Sequence, residues 1–214
     1  GHTDSVTGVA FSPRGDSLTT SSEDATARLW DLPGPVLTGH TDAVWAATFS
    51  PQGAILATSS EDDTARLWEV TDPYRAHVLA TLTGHTALVT SVAFSPQGGV
   101  LATSGEDATA RLWEVTDPRR PHELATLTGH NDSIFAVAFN PGGNILATAS
   151  LDTTARLWDV ADPRRPRELA TLSGHASPVY SLAFSPDGRA LATTSIDKTV
   201  RLWETNVDRA AARI

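Results

Sequence analysis

Short apolar stretches alternate with turn-forming residues along the chain, and its second fifth shows the pattern clearly. Residues 44–49 are Val-Trp-Ala-Ala-Thr-Phe, which are rich in types that favour strands. The Ser-Pro-Gln-Gly that follows at 50–53 is typical of a type I turn, because proline presets φ and glycine relieves crowding at the exit. Further stretches at 55–60, 64–69 and 77–82 are separated by polar or proline-containing segments. The pattern lacks helical periodicity and predicts a small antiparallel sheet of four strands.

The same succession of elements occurs five times, and this repetition determines the predicted fold. Each unit opens with a Gly-His pair and closes with Arg-Leu-Trp, and both motifs advance by 38, 45, 45 and 45 residues. A fixed period in this range marks an array in which each unit buries its apolar face against the next. We therefore predict an all-β protein: a β-propeller of four-stranded antiparallel blades in one array over residues 1–205, with units that start near residues 1, 39, 84, 129 and 174.

The two ends of the array differ from its middle. After Trp203 the sequence lacks the pattern of a fourth strand, and the Ala/Arg-rich tail at 206–214 predicts a short helix with Asp208 as its cap. We therefore expect an open or partial ring, whose uncovered blade edges favour self-association. The sequence contains no methionine, so we expect a piece of a longer chain.

A fixed spacing of three residue types carries a family resemblance. An aspartate stands 22 residues after each Gly-His histidine, and a tryptophan follows that aspartate by six. With Trp-Asp in two units and Trp-Glu in three, the sequence resembles the WD-repeat β-propeller family over nearly all of residues 1–205. The phrase Trp-Glu-Val-Thr-Asp-Pro-Arg-Arg-Pro at 113–121 also resembles repeats of actinobacterial WD-repeat signalling proteins. In those proteins such arrays stand beside protein kinase or signal-transduction ATPase domains.

The resemblance implies that one histidine, threonine, aspartate and tryptophan of each unit form a structural hydrogen-bonded tetrad. The implied tetrads are His2/Thr20/Asp24/Trp30, His40/Thr58/Asp62/Trp68, His85/Thr103/Asp107/Trp113, His130/Thr148/Asp152/Trp158 and His175/Thr193/Asp197/Trp203. A histidine, a threonine and an aspartate also suggest a hydrolase. Nucleophilic catalysis, however, needs one such set at one exposed place beside an oxyanion site. Five equivalent sets favour a structural role for these residues. We therefore predict that the protein has no catalytic residue and is not an enzyme.

Motifs for metals, phosphates and nucleic acids are absent from the sequence. The motif histidines stand 38 or more residues apart, and neither His77 nor His122 has a second ligand at metal-site spacing. Glycines occur singly or in pairs, unlike a phosphate-binding loop, so we expect no metal and no cofactor. The formal net charge of −9 disfavours nonspecific nucleic-acid binding. Two proline-rich linkers carry arginines that are either solvated or form a patch for an acidic neighbour: Arg119, Arg120, Arg164, Arg165 and Arg167.

The amino-acid composition indicates the cellular compartment in which we expect the protein. Hydrophobic residues make up 40% of the chain, which supplies a core, while no apolar run reaches the 18 residues of a membrane-spanning helix. The chain has no cysteine, which fits a reducing compartment. We expect a cytoplasmic protein that makes no membrane contact through this segment.

Exposed positions that differ between the units are candidates for partner binding. In the WD-repeat family the Gly-His loop and the aspartate turn open on one face of the disc. The third and fifth residues after each histidine, and the residue before each aspartate, border this face. Acidic residues stand there in the first three units and apolar ones in the last two. The predicted partner-binding face comprises Glu23, Trp45, Glu61, Leu88, Glu106, Phe135, Leu151, Tyr180 and Ile196. The alternative, equally open from the sequence, is that its aromatic members wedge between blades.

Three functional hypotheses remain. The leading one is a noncatalytic scaffold that binds a protein or peptide with basic and apolar residues, as the sensor or interaction module of a larger signalling protein. The second is a purely structural repeat array without a specific ligand. The third and most remote is a hydrolase that uses one of the His/Thr/Asp sets.

Overall fold

The structure, a computed structural model, describes residues 1–30 and 35–205. Within these residues the chain forms five antiparallel sheets, one from each sequence repeat, in which neighbouring strands are consecutive in the sequence. We call the sheets the first to the fifth blade in chain order. The predicted all-β fold and its blade array are confirmed, whereas the helix predicted for residues 206–214 lies outside the described residues.

The strands of each blade are short and follow one another through tight turns. The first two blades contain β1 (Val6–Phe11), β2 (Leu18–Ser22), β3 (Ala27–Trp30), β4 (Val36–Leu37), β5 (Val44–Phe49), β6 (Ile55–Ser60), β7 (Thr64–Glu69) and β8 (His77–Thr83). The next two contain β9 (Val89–Phe94), β10 (Val100–Gly105), β11 (Ala110–Glu114), β12 (His122–Leu127), β13 (Ile134–Phe139), β14 (Ile145–Ser150), β15 (Ala155–Asp159) and β16 (Arg167–Leu172). In the described residues the fifth blade has three strands, β17 (Val179–Phe184), β18 (Ala190–Ser195) and β19 (Val200–Glu204).

The second blade shows how closely the sequence pattern defines local structure. Strands β5, β6 and β7 begin and end where the apolar stretches do, and β8 extends one residue further. The backbone N–H of Gly53 donates to the carbonyl oxygen of Ser50 at 2.8 Å, which closes the predicted turn. The pattern missed a 3-10 turn at Pro73–Arg75 and a bulge between Val44 and Ala46.

The core lies between neighbouring blades. We call the side of a blade that meets the preceding blade its leading face, and the opposite side its trailing face. Between the second and third blades, Leu67 and Leu82 of one trailing face pack against Val89, Leu101 and Trp113 of the next leading face. Each such buried side chain contributes about 1.5–3 kcal/mol of transfer free energy. Stability therefore comes from contacts between adjacent repeats, as in other repeat arrays.

The innermost strands pack in the order β1, β5, β9, β13 and β17, which gives an open propeller with five repeats. The apolar side chains of Val6 and Phe11 on the first leading face are exposed, and so is Leu202 on the last trailing face. Antiparallel pairing places the Gly-His loops and aspartate turns at one edge of every blade. The Ser-Pro turns and the proline-rich linkers lie at the opposite edge.

Candidate functional site

A continuous hydrogen-bonded relay joins the four tetrad residues of the second blade. The indole Nε1 of Trp68 donates to the hydroxyl oxygen of Thr58 at 2.8 Å. That oxygen lies 2.8 Å from Nε2 of His40, whose Nδ1 lies 2.8 Å from Oδ2 of Asp62. Because the indole only donates and the carboxylate only accepts, the proton positions follow. Thr58 donates to Nε2, and the neutral ring of His40 donates from Nδ1 to Asp62.

The structure brings the corresponding residues together in each of the other repeats of the described chain. The histidine Nδ1 lies 2.7–2.9 Å from the aspartate Oδ2, and its Nε2 lies 2.7–2.8 Å from the threonine oxygen. Each tryptophan donates to its threonine at 2.8–3.0 Å, in the pairs Trp30–Thr20, Trp113–Thr103, Trp158–Thr148 and Trp203–Thr193. The histidine–aspartate pairs are His2–Asp24, His85–Asp107, His130–Asp152 and His175–Asp197. The relay therefore ties the Gly-His loop to the second and third strands and to the turn between them.

The tetrads share this geometry but differ in burial. Trp158 is 5% exposed, because its indole packs in a cluster with Leu112 of the preceding blade. In the first blade Trp30 is 42% exposed and its acceptor Thr20 is only half-buried. In the described residues no blade precedes the first one, so its leading face leaves this indole uncovered. The spacing in the sequence defines the tetrad residues of each unit, but it does not show how deeply a neighbouring blade buries each tetrad.

The sequence analysis missed a second threonine of each unit that belongs to this network. Two positions after each tetrad aspartate stands a threonine whose hydroxyl donates to the other carboxylate oxygen, Oδ1, at 2.5–2.7 Å. These threonines are Thr26, Thr64, Thr109, Thr154 and Thr199. The sequence does contain a signal for these threonines, because the motif Asp-x-Thr recurs in every unit. Both carboxylate oxygens thus have fixed donors.

Burial and hydrogen bonding set the charge states of the relay. Desolvation lowers the pKa of His40 below 6.5, because burial disfavours the imidazolium. Burial alone would raise the pKa of Asp152, but hydrogen bonds from Thr154 and His130 outweigh it and lower the value to about 2. The same balance lowers the pKa of Asp62, where Thr64 and His40 are the donors. The relay is therefore built for a neutral histidine beside an ionised aspartate.

The relay is poorly suited to nucleophilic catalysis. The hydroxyls of Thr58, Thr103, Thr148 and Thr193 belong to residues with no exposed surface. Each hydroxyl already accepts a hydrogen bond from an indole and donates to an imidazole, and that of the half-buried Thr20 has the same two partners. A substrate carbon would have to displace this packing before it reached the oxygen, so the geometry supports an architectural role for the tetrads.

Backbone strain accompanies the relay in the turn that it anchors. The residue after each tetrad aspartate has a positive φ of 61–71°, and none of these residues is glycine: Ala25, Asp63, Ala108, Thr153 and Lys198. A left-handed backbone costs an L-residue roughly 1–2 kcal/mol. Hydrogen bonds from the turn to the aspartate, such as the one from the N–H of Thr109 to Oδ1 of Asp107 at 3.0 Å, hold this conformation.

Three positions of each unit were predicted to border the Gly-His face, and backbone hydrogen bonds bring two of them together. The N–H of the residue before each aspartate donates to the carbonyl oxygen of the third residue after the histidine. The pairs, at 2.9–3.3 Å, are Glu23–Ser5, Glu61–Ala43, Glu106–Leu88, Leu151–Ser133 and Ile196–Pro178. The variable residues therefore stand in the same place on every blade, at the edge that carries the Gly-His loops.

The first three blades give this face its acidic half. Glu23, Glu61 and Glu106 are exposed, and the half-buried Trp45 donates from Nε1 to Oε1 of Glu61 at 3.1 Å. Exposed aspartates two residues after the histidine add charge that the sequence reasoning did not include. Asp4 and Asp42 lie on the first two blades, and Asp132 places one further carboxylate on the fourth. We call Glu23, Glu61, Glu106 and Trp45 the acidic half of the face.

The last two blades give the same face an apolar half. The rings of Phe135 and Tyr180 meet edge to face with centroids 4.9 Å apart, which links two adjacent blades. Tyr180 and Ile196 are exposed, and Leu151 is half-buried, as is Leu88 on the third blade. We call Phe135, Leu151, Tyr180 and Ile196 the apolar half. The Phe135–Tyr180 contact shows that these two aromatics pack between blades.

Thr7 and Thr90 stand at the fifth position after the histidine, which Trp45 and Phe135 occupy in other blades, and they face the gap between blades. The hydroxyl of Thr7 donates to the carbonyl oxygen of Val44 on the next blade at 2.5 Å, and Thr90 donates in the same way to the carbonyl oxygen of Ile134. Each is also hydrogen-bonded to a serine hydroxyl of its own blade. These two positions therefore link neighbouring blades.

Linker arginines at the opposite edge pair with the preceding blade. Arg119 donates from Nη2 to Oε2 of Glu69 at 2.9 Å, and Arg164 does the same to Glu114 at 2.7 Å. Arg167 pairs with Asp159 on its own blade at 2.6 Å. These three arginines are engaged in ion pairs. This favours the interpretation that the linkers are solvated loops over the interpretation that they form a basic patch for an acidic neighbour.

In residues 1–30 and 35–205, no group of three or more His, Cys, Asp or Glu side chains is placed to hold a metal ion. No helix in that part of the chain is long and apolar enough to cross a membrane.

Comparison with known proteins places the chain in a family. The profile of the WD domain, G-beta repeat family matches residues 1–31, 33–69, 76–114, 121–159 and 166–204. These segments cover most of the 214 residues, so the chain belongs to the WD-repeat family. No curated protein matches the chain at a significant level. WD-repeat proteins are generally noncatalytic scaffolds for protein interactions, and this general role is the one that the family match supports.

Proposed function

We propose that this protein is a noncatalytic platform that binds a peptide or protein segment across its Gly-His face. The observation that carries the proposal is the charge and polarity division of that face. Backbone hydrogen bonds fix one variable residue at the same place on each blade, and three consecutive blades carry glutamate there. The next two carry leucine and isoleucine, so one ligand that crosses the face meets both chemistries.

The acidic half favours a basic segment. Negative potential from neighbouring carboxylates raises the local concentration of cations and speeds encounter at low salt. The hydrogen bond between Trp45 and Glu61 holds the indole beside the carboxylate. A lysine or arginine that approaches Glu61 would therefore also meet an aromatic ring, which adds about 0.5–2 kcal/mol of cation–π attraction.

The apolar half favours an aliphatic or aromatic anchor. Interface energy usually concentrates in a few large side chains that sit in a well-packed setting. The edge-to-face contact between Phe135 and Tyr180 holds both rings in place before a ligand arrives. Exposed Ile196 and half-buried Leu151 extend this apolar surface across the fourth and fifth blades.

The placement of the protein in a cell is part of the proposal. The absence of cysteine favours the cytoplasm, and the resemblance of residues 113–121 to bacterial signalling proteins favours a module that recruits partners for signalling. The buried, doubly bonded tetrad threonines support a noncatalytic role.

Selection from a random peptide display library on the intact protein tests the proposal. We expect enriched peptides to combine Lys or Arg with an aromatic or aliphatic cluster. A Tyr180→Ala variant should lose these peptides while it remains folded, with only a modest loss of stability from the lost contact with Phe135. Tyr74→Ala is the matched control, because Tyr74 is an exposed tyrosine on a linker at the opposite edge. Absence of any enriched motif, or equal binding by Tyr180→Ala, would contradict the proposal.

A further inference from the structure

In the third blade, an arginine and a threonine hold one carboxylate of the outermost strand between them. Arg111 on β11 donates from Nη1 to Oε2 of Glu123 at 2.7 Å. The hydroxyl of Thr126 donates to the other oxygen, Oε1, at 2.5 Å. We call such an arginine and threonine pair a carboxylate cradle. The fourth blade has the same cradle and the same kind of carboxylate, in the set Arg156, Thr171 and Glu168.

The cradle stabilises the ionised form of the carboxylate that it holds. Burial alone would raise the pKa of Glu168, but hydrogen bonds from Thr171 and Arg156 outweigh this effect and lower the pKa below 4.5. Hydrogen bonds between a guanidinium and a carboxylate are among the strongest in proteins, because both partners are charged. The arrangement therefore suits a carboxylate better than a neutral amide.

The second blade keeps both donors but has no glutamate at the equivalent position. Strand pairing places Thr81 opposite Arg66, as it places Thr126 opposite Arg111. Val78 stands opposite the tetrad tryptophan, where the third and fourth blades have glutamate. The side chain of valine has no hydrogen-bond acceptor, so it cannot take the part of the glutamate.

The guanidinium of Arg66 is nevertheless placed like that of an arginine that holds a glutamate. A Cβ added to Gly39 would lie 2.8 Å from Nη1 of Arg66, and a Cβ added to Gly84 would lie 3.0 Å from Nη1 of Arg111. The two arginine side chains are similarly buried, at 18 and 16% exposed. The position of Arg66 therefore does not depend on a glutamate of its own blade.

The donors of this second cradle are poorly satisfied within the described part of the chain. There Arg66 has one carboxylate within ion-pair distance, that of Asp62, whose Oδ2 lies 3.9 Å from Nη2. That oxygen already lies 2.8 Å from Nδ1 of His40 and accepts from the N–H of Thr41. A largely buried cation without a close partner has lost hydration and gained little in return.

We propose that Arg66 and Thr81 bind a carboxylate from outside the chain. One oxygen accepts from Nη1 of Arg66 and the other from the hydroxyl of Thr81, as in the third and fourth blades. The cradle lies beside the Gly-His loop of the second blade, because Nη1 of Arg66 adjoins Gly39. Two sources have this chemistry, the glutamate side chain of a partner segment and a free small carboxylate. The site uses none of the carboxylates of the acidic half, so it stands or falls separately from the peptide binding proposed above.

NMR titration of the intact protein tests the site. The probe is N-acetylglutamate N-methylamide, which is a glutamate side chain with blocked ends, and the corresponding glutamine derivative is the uncharged control. Single Arg→Lys variants assign the Nε–H signals of Arg66, Arg111 and Arg156. We expect the Arg66 signal to shift in a saturable manner with the glutamate probe alone. The signals of Arg111 and Arg156 should stay in place, because glutamates of their own blades hold them.

Acetate as a second probe distinguishes the two sources. Weaker binding of acetate than of the glutamate probe supports a partner segment as the source, and equally tight binding supports a free small carboxylate. Both results support the carboxylate cradle. An Arg66 signal that neither probe shifts, or equal shifts of all three arginine signals, would overturn the proposal.

Reciprocal substitutions provide a matched control. Val78→Glu should supply the carboxylate within the chain and abolish the response of Arg66. Glu123→Val should remove it from the third blade and make Arg111 respond to the probe. Thr81→Val, at an exposed position, should weaken binding about tenfold through the loss of one charged hydrogen bond. Circular dichroism checks that each variant is folded, and a folded Thr81→Val or Val78→Glu protein that responds like the wild type would overturn the proposal.

Discussion

The hydroxyl of Thr109 donates a hydrogen bond of 2.7 Å to Oδ1 of Asp107. The opposite oxygen, Oδ2, lies 2.9 Å from Nδ1 of His85 and accepts from the N–H of Thr86 at 3.2 Å. One carboxylate thus joins the Gly-His loop to the turn between the second and third strands of its blade. Because the variable residues Leu88 and Glu106 stand in this loop and turn, the relay also determines the shape of the Gly-His face.

Replacement of Asp107 by alanine should destabilise the protein. The side chain is 7% exposed, and its removal leaves buried donors from His85 and Thr109 without their acceptor. We expect a loss of about 1–3 kcal/mol in the free energy of unfolding, measured by urea denaturation. Glu106→Ala is the control, because the neighbouring side chain is exposed, and its effect should stay within about 0.5 kcal/mol. Equal stability of Asp107→Ala and wild type would remove the relay from the account.

Stability should fall as the pH is lowered below neutrality. Burial lowers the pKa of His40, His85 and His130 in the folded state, so the unfolded chain binds protons to these histidines first. Stability from such groups is fully present above the unfolded value near 6.5 and is lost as the pH falls through the folded pKa. The lowered pKa of Asp107 acts in the same direction at more acidic pH. Urea midpoints at a series of pH values between 8 and 4 measure the trend, and a midpoint that rises on acidification would contradict it.

Glycine in the strained turn should stabilise the protein. Ala108 and Thr153 have φ of 61° and 71°, which costs an L-residue roughly 1–2 kcal/mol and a glycine almost nothing. The greater chain entropy of unfolded glycine offsets about 0.5–1 kcal/mol of this gain. We expect Ala108→Gly to add up to ~1 kcal/mol and Thr153→Gly to add more, because a β-branched residue fits this conformation worst. The control Ala102→Gly, in the buried strand β10, should destabilise, and thermal unfolding measures all three.

Much of the fold could be predicted from the sequence because one period constrains every element. The bounds of β5, β6 and β7 follow from apolar stretches that end at Ser-Pro and Glu-Asp turns. Identical spacing then extends these elements to the other repeats. The 3-10 turn at Pro73–Arg75 was missed because it lies in a linker without periodic pattern.

The candidate site was less predictable, because it depends on contacts between blades. The sequence could not decide whether Phe135 wedges between blades or faces a partner, and the structure gives it a contact with Tyr180 of the next blade. Nor does spacing reveal that Thr90 donates to the carbonyl oxygen of Ile134, 44 residues away. The engagement of Arg164 by Glu114 likewise depends on how far one blade is rotated from the next.

The central claim is that carboxylates on the first three blades bind the basic part of a peptide. Its most direct test is calorimetric titration of one peptide from the display selection into three proteins at low and moderate salt. The first is the wild type, and the second carries Glu→Gln changes at Glu23, Glu61 and Glu106. The third is a matched triple Asp→Asn variant at the linker positions Asp72, Asp117 and Asp162, where asparagine can still accept the backbone N–H bonds.

The two triple variants lose the same formal charge at opposite edges of the blades. The account predicts that the glutamine variant binds the peptide at least about tenfold more weakly, with most of the salt dependence gone. It also predicts that the asparagine variant binds like the wild type. Equal weakening in both variants, or unchanged binding by the glutamine variant, would contradict the claim that the Gly-His face recognises its ligand through these carboxylates.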